Sequence, residues 1–428
     1  MINTIMKLFN LEHKIINDIE TISVDNEIFV IISLKKRLSK CPVCGSFSDL
    51  THDYRQRTLN HAILNGKTTH IIYNRRRYRC TSCSKVFAEN NPFVSSGRRL
   101  SRYTIIRIMK MLKDPRVTFS MVSDIVNISI TSVLRIFDEY AGISTTSFPT
   151  VLCIDEVYTS KYRQKVYACV LADFNTNQIY DLLPSRKKHE LSQYFSSIPS
   201  NTRKKVTHIS MDMWDTYRSI SHIYFPNAKI CVDSFHVISM INRAFKSVRV
   251  RVMNSFERNS DEYYLIKKYA WLLNMNFHKV WNMGNLHIYK QTPLLHYRRN
   301  VPALDILNTI LSLDSELELA YTLKYDYERI NSKSTLENIE DRLDRYIEDL
   351  TIFNIKEFNP VKKALKGWRQ EIINSFDTIG KRRISNGPIE SINSRIKLIK
   401  YSSTGYGNFE RFRKRVLYSL NDSSTIKA

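Results

Sequence analysis

The chain has 428 residues, with 65 Lys and Arg against 41 Asp and Glu and a net charge of +24. That length exceeds what one hydrophobic core supports, so several domains are expected, and the charge calls for a polyanionic partner, nucleic acid first. No apolar run approaches the roughly 20 residues of a spanning helix, and the N-terminus lacks a signal-peptide h-region, so a membrane partner is excluded and a cytoplasmic protein expected.

The excess charge is concentrated, whereas a scattered one is usually a solvated surface. From Gly66 to Tyr103 there are nine Lys or Arg against one acid, and from Lys381 to Tyr418 ten against two. The first 40 residues read as a short helix and strand-like pieces, densest at Ile28 to Ile32. Next come Cys41-Pro42-Val43-Cys44 and Cys80-Thr81-Ser82-Cys83, 35 residues apart. Two C-x-x-C turns close a four-sulfur structural zinc site, and the long gap fits a hairpin that returns to the metal. A redox pair or plain surface cysteines would be the bland alternative. Cys153, Cys169 and Cys231 lie in apolar runs, as buried reduced thiols do.

Between Phe119 and Tyr140 apolar residues recur at helical spacing in two segments, broken at Asn127-Ile128-Ser129. Ser129 suits an N-cap, and the second helix would present Thr131, Ser132 and Arg135 outward, as a helix-turn-helix recognition helix does. Two packed helices of a bundle would give the same pattern, but Arg98, Arg99 and Arg102 beside them favour DNA. On this reading Arg135, Thr131 and Ser132 read bases, while Arg75, Arg76, Arg77, Arg98 and Arg99 hold phosphates.

After Pro149 the pattern predicts strands at Val151–Ile154, Val166–Ala172, Gln178–Leu183, Val206–Met211 and Ala228–Val232, with helices at Lys188–Ile198 and Asp215–Tyr224. Three strands, then two alternating with helices, is the order of a ribonuclease H-like sheet. Ser247 to Phe376 reads as an inserted all-helical domain, anchored by Trp271, Leu272 and Leu273 and amphipathic over Glu316 to Leu350.

Three of the strands end in an acid, at Asp155, Asp212 and Asp233. In open α/β sheets ligands bind beyond the carboxyl ends of strands, and acids that converge there repel unless they share a cation. Hard oxygen ligands suit Mg²⁺ or Mn²⁺, and two such ions can serve phosphodiester chemistry. The C-terminal basic block offers a further carboxylate. Gly387-Pro388 signals a helix start, Ile389, Ile392, Ile396 and Ile399 form its apolar stripe, and Glu390, Asn393, Lys397 and Lys400 share another face. That face would present a ligand and then amines along a DNA backbone, although a first-turn Glu also complements the helix dipole. His236, three residues after Asp233, is a candidate for orienting a phosphate or bound water together with that acid. Asp173 reads as a hairpin residue, and Glu156 lies on the strand face opposite Asp155.

These pieces, in this order, resemble the ISL-three family of bacterial insertion-sequence transposases. The resemblance runs through Cys41 to Cys83, the helix pair, Ile154-Asp155-Glu156, Met211-Asp212-Met213 with Tyr217, Asp233-Ser234-Phe235-His236, Asn386 to Lys400, and Gly405-Tyr406-Gly407-Asn408-Phe409. It implies a DDE transposase whose ribonuclease H-like core is interrupted by a helical insertion, with Asp155, Asp212 and Glu390 as the acidic triad. It further implies recognition of terminal inverted repeats and strand transfer by a 3′-hydroxyl. The expected fold class is therefore multidomain α/β, with a zinc-ribbon domain at 1–90, a helix-turn-helix domain at 91–148, the core at 149–246, the insertion at 247–378, a final core helix at 379–420 and a tail at 421–428. Expected cofactors are one structural zinc and two magnesium or manganese ions. Expected partners are double-stranded DNA, from the element ends and the target, and a second copy when assembled on DNA. A DNA-binding regulator with an inert α/β part, or a structure-selective nuclease or resolvase, are the competing readings.

Overall fold

The computed structural model describes residue 6 and residues 15–64, 66–94, 99–143, 147–159, 167–403 and 406–427. The expected N-terminal helix, apart from Met6, and Arg98 lie outside the described residues. Two compact units divide the chain, Met1–Thr145 with Ser394–Ala428, and Thr146–Asn393. Among the described residues no single helix is long and apolar enough to cross a membrane.

The first unit is built on a sheet of β1 (Ile16–Val24), β2 (Glu27–Leu34), β3 (Thr51–Leu64), β4 (Lys67–Arg79) and β5 (Val86–Ala88). Its order is β1-β2-β4-β3 with β5 paired to β4, and β2 runs parallel to β4. β4 serves two cores. Its first half buries Ile71 and Tyr73 with Val30, Ile32 and Leu59, and its second half buries Tyr78 with Cys41, Cys80 and Phe87.

Helices α1 (Arg102–Met111), α2 (Phe119–Val126) and α3 (Ile130–Tyr140) follow. The break between α2 and α3 falls where the sequence put it. Asn127 ends α2 in a left-handed conformation, the Ser129 hydroxyl accepts from the Ser132 amide, and the two helices bend by 111°. Their buried stripe of Phe119, Val122, Val126, Val133, Ile136 and Phe137 packs with Tyr418 of the helix Phe409–Leu420. Arg415 of that helix is fully buried, and its guanidinium donates to the carbonyls of Asp114 (3.0 Å) and Val117 (2.8 Å) and to the Ser419 hydroxyl.

The second unit centres on a sheet of order β8-β7-β6-β9-β10, formed by β6 (Val151–Tyr158), β7 (Tyr167–Asp173), β8 (Gln178–Leu183), β9 (His208–Met211) and β10 (Lys229–Val232). β6, β9 and β10 are parallel, and β7 is antiparallel to both its neighbours. Continuous apolar runs in the central strands reflect burial on both faces, with α4 (Lys188–Ser197) and α5 (Asp215–Tyr224) in the expected places.

A long helix α6 (Ser234–Ser255) opens the helical stretch. The segment read as one amphipathic stretch is two helices, α7 (Ser315–Lys333) and α8 (Ile339–Ile352), separated where Asn338 Oδ1 accepts from the Thr335 amide (3.0 Å). Leu272 and Leu273 are fully buried, but Trp271 is 42% exposed. These helices share a single hydrophobic cluster with the sheet, from Leu152 through Phe245 and Leu307 to Ile373. The stretch returns to the sheet at its edge. Asn374 donates to the Ile230 carbonyl (2.9 Å), and Asp377 accepts from Lys229 (2.8 Å) and meets His208 (3.2 Å), so β10 has no bare edge. Helix α9 (Gly387–Ser402) begins at the Gly-Pro signal and buries Ile389, Ile392, Ile396 and Ile399, as its pattern predicts.

Replacing Arg415 by Ala removes a buried donor and strands two carbonyls, so the first unit should lose about 2–4 kcal/mol. Urea denaturation followed by circular dichroism tests this, and a change below about 0.5 kcal/mol would contradict it.

Candidate active site and metal centres

Parallel pairing brings the carboxylates together. Ile154 is opposite Met211, and Met211 is opposite Val232, so the next residues, Asp155, Asp212 and Asp233, stand at one level where the parallel pairing stops, although β6 itself runs on to Tyr158. Neighbouring strands are about 4.8 Å apart, which sets the scale of the cluster. Ligand oxygens of Asp155, Glu156 and Asp212 lie within 4.8 Å of one another, and those of Asp212 and Asp233 with a His236 nitrogen form a second such group. Asp212 belongs to both. His236, in the first turn of α6, has Nε2 2.7 Å from Asp212 Oδ1.

Two asparagines line the site from the α9 side. Asn393 Nδ2 donates to Asp155 Oδ2 (2.7 Å), Asn386 Nδ2 to Asp212 Oδ1 (3.4 Å), and the Asn386 amide to Asp233 Oδ1 (3.4 Å). The side-chain oxygens of both are buried with no hydrogen-bond partner among the described residues. Carboxylates with spare amide oxygens beside them are the donor set a hard divalent cation takes.

The electrostatics agree with that fit. Burial, and then the charge of Asp212, push the Asp155 carboxyl up to about 7. Burial also raises Glu156 and Asp233, while the hydrogen bond to Asp212 raises His236. Negative charge is costly here without a cation.

Glu156 is the main difference from the sequence reading, which set it on the opposite strand face. β9 ends at Met211, level with Ile154, so beyond that point β6 has a neighbour only in β7. The longer Glu156 side chain thus reaches the group formed by Asp155 and Asp212 and pairs with Arg186. Glu390 is exposed on the first turn of α9, outside both tight groups, yet its charge acts on Asp233. Arg186 and Asn386 were not singled out from the sequence; the first sits in an Arg-Lys-Lys run that looks like solvated surface.

The residues expected to contact DNA are placed unevenly. Arg135 and Thr131 are exposed, while Ser132 is half-buried with its hydroxyl 2.9 Å from that of Ser129. Arg99 is exposed. Arg75 donates to the Glu89 carbonyl, Arg76 is buried beside the Glu89 carboxylate, and Arg77 pairs with Asp53. Lys397 is exposed but Lys400 is buried.

In the first unit Cys41, Cys44, Cys80 and Cys83 hold their sulfurs within 4.8 Å of one another, with Cys41–Cys83 at 3.7 Å and Cys44–Cys80 at 3.5 Å. Four sulfurs at about 2.3 Å from a tetrahedral zinc are separated by about 3.8 Å, so the set fits that ion. Each pair sits in a matching turn, closed by Gly45 on the Cys41 carbonyl and Ser84 on the Cys80 carbonyl, both at positive φ. Hydrogen bonds from the side chain and amide of Ser46 hold Cys44 down at about 6, poised as a thiolate.

A family model described as a transposase, of the DDE ISL3 type, matches residues 152–416. The chain belongs to this transposase family. A second model, the zinc-finger of transposase IS204/IS1001/IS1096/IS1165, matches residues 37–83 and so contains all four clustered cysteines. The transposase for insertion sequence element IS1001 of Bordetella parapertussis is 24% identical over 262 residues, 61% of this chain and 58% of the relative. The transposase for element IS1557 of Mycobacterium tuberculosis is 24% identical over 259 residues, 59% of this chain and 56% of the relative. The match thus spans less than two thirds of either relative's length.

Purified protein should carry one zinc per chain, and stripping it with a chelator should unfold the first unit while leaving the helical signal of the second. Elemental analysis without zinc, or Cys41→Ser and Cys80→Ser variants that fold unchanged, would contradict this. A second outcome follows from the raised carboxyl. Between the unfolded value near 4 and the folded value of about 7, only the folded state keeps the Asp155 proton, so metal-free stability falls as pH rises through that window and the loss is complete above it. Glu156, Asp233 and His236 are raised too and act in the same direction. Denaturation at pH 5 and pH 8 should show a difference on the order of a few kcal/mol that Asp155→Asn reduces and Mg²⁺ reverses.

Proposed function

We propose that this chain is the transposase of a bacterial insertion sequence, acting on double-stranded DNA at the element's terminal inverted repeats and at a target. Asp155 and Asp212, on a ribonuclease H-like sheet, and Glu390, on α9, are the catalytic carboxylates. The observation that carries this reading is the alignment of Asp155, Asp212 and Asp233 at one level, where the pairing of three parallel strands stops, with α9 delivering Asn393 onto Asp155. Two divalent cations held there would activate an attacking oxygen and stabilise a leaving one. The chain's own residues supply the frame: Asn393 fixes Asp155, and His236 and Asn386 fix Asp212. Glu390, on the α9 face that also carries Asn393, completes the triad when DNA and metal draw its exposed carboxylate inward.

The bent pair α2–α3 is read as a helix-turn-helix, with exposed Thr131 and Arg135 facing base edges. The zinc ribbon and Arg99 add sequence-independent contacts, and a dimer forms on the paired element ends. Arg75, Arg76 and Arg77 are engaged within the fold, which makes them weaker candidates for phosphate contacts than the sequence alone gives.

Asp155→Asn, Asp212→Asn and Glu390→Gln keep side-chain shape and remove charge. Each should cut nicking of a labelled end fragment in Mg²⁺ or Mn²⁺ by at least about 100-fold, while mobility shifts of the same fragment persist or strengthen. Wild-type protein that binds the fragment specifically but never nicks in either metal would favour a DNA-binding regulator instead.

A further inference from the structure

Arg186 lies just past β8 and touches the acidic cluster only through Glu156 among the described residues. Its Nη1 donates to the Glu156 carboxylate, and its guanidinium carbon lies over the rings of Tyr167 (4.4 Å) and Trp214 (4.8 Å). Trp214 is edge-on to Tyr217 at 4.6 Å, and the Tyr217 hydroxyl is 3.4 Å from Glu156 Oε2. Groups from the end of β6, the start of β7, the turn after β9 and helix α5 therefore fix one cation beside the acidic cluster.

A guanidinium has five N–H donors in a rigid fork, and only the one to Glu156 is used among the described residues. The side chain is still 36% exposed. An arginine whose sole task was to join two strands would bury both its faces and spend its donors on protein acceptors. Here aromatic rings brace the cation, the side chain stays partly open to solvent with four N–H donors unused among the described residues, and the neighbouring groups are carboxylates that repel a polyanion. A fixed positive charge at that rim offsets the repulsion for one phosphate.

We propose that Arg186 binds a non-bridging oxygen of a DNA phosphate adjoining the one that reaches the carboxylates, and that Glu156 is the positioning residue that aims it. This rests on the transposase reading, although its test does not require cleavage. Full-length protein carrying Asp155→Asn would be titrated in Mg²⁺ with labelled end fragments, each bearing one neutral methylphosphonate at a successive position around the cleavage site. In an Arg186-intact background one position should weaken binding about tenfold, the scale of a charge-assisted hydrogen bond. With Arg186→Ala added, unmodified DNA should lose about the same factor, and that one position should become silent while effects elsewhere remain. Arg186→Lys should restore part of the affinity, and Glu156→Gln should blunt the same position. If Arg186→Ala leaves affinity unchanged, or lowers it with every positional effect intact, the residue is structural and the proposal is wrong. Failure of the transposase reading would register in wild-type nicking, and this measurement would stand apart from it.

Discussion

Everything in the second unit depends on holding like charges close together. Three parallel strands in register carry aspartates at the level where their mutual pairing stops, and neither the sheet nor its apolar flanks can relieve their repulsion. What the protein supplies is a ring of donors: Asn393 on Asp155, Asn386 and His236 on Asp212, and Arg186 on Glu156. The asparagines orient the acids without neutralising them and Arg186 offsets one charge only, so the cluster keeps a surplus of carboxylates that a cation would balance. The raised Asp155 is the thermodynamic trace of that surplus.

The helical stretch between β10 and α9 contributes to this arrangement from a distance. It shares the hydrophobic cluster of the sheet, and its C-terminal end meets β10 through Asn374 and Asp377. In the linear sequence it reads as a separate insertion. In three dimensions it packs against the strand that leads to Asp233, so one wall of the acidic cluster and the fold-stabilising helices are parts of one packed body.

Much of this was legible in the residues. The aspartates after apolar strands, the Ser129 cap, the Gly-Pro helix start and the paired C-x-x-C turns are local signals with local causes; these elements formed close to where their patterns placed them, except that β6 runs past Asp155 to Tyr158. What escaped were side chains whose environment depends on where a neighbouring strand stops. Glu156 is walled off from Asp155's side of the sheet only where β6 is flanked on both sides, and β9 stops two residues short of its level. Arg76 looks like a surface cation in a basic run but is buried against Glu89, because β4 turns its second half toward the cysteine core. Periodicity describes one element, and these cases depend on two.

The seven cysteines divide into two chemical populations. Cys153, Cys169 and Cys231 are buried within the sheet, and burial lifts all three thiols well above the ordinary range. In the folded state they are closed to alkylation and oxidation, which need an accessible thiolate. Cys44 and Cys83 are exposed, and Cys44 is held near 6. Thiol reactivity of the intact protein is therefore confined to the ribbon, where a bound metal would mask it. Oxidative stress would reach this molecule first through the ribbon, while the buried thiols of the α/β sheet stay chemically silent.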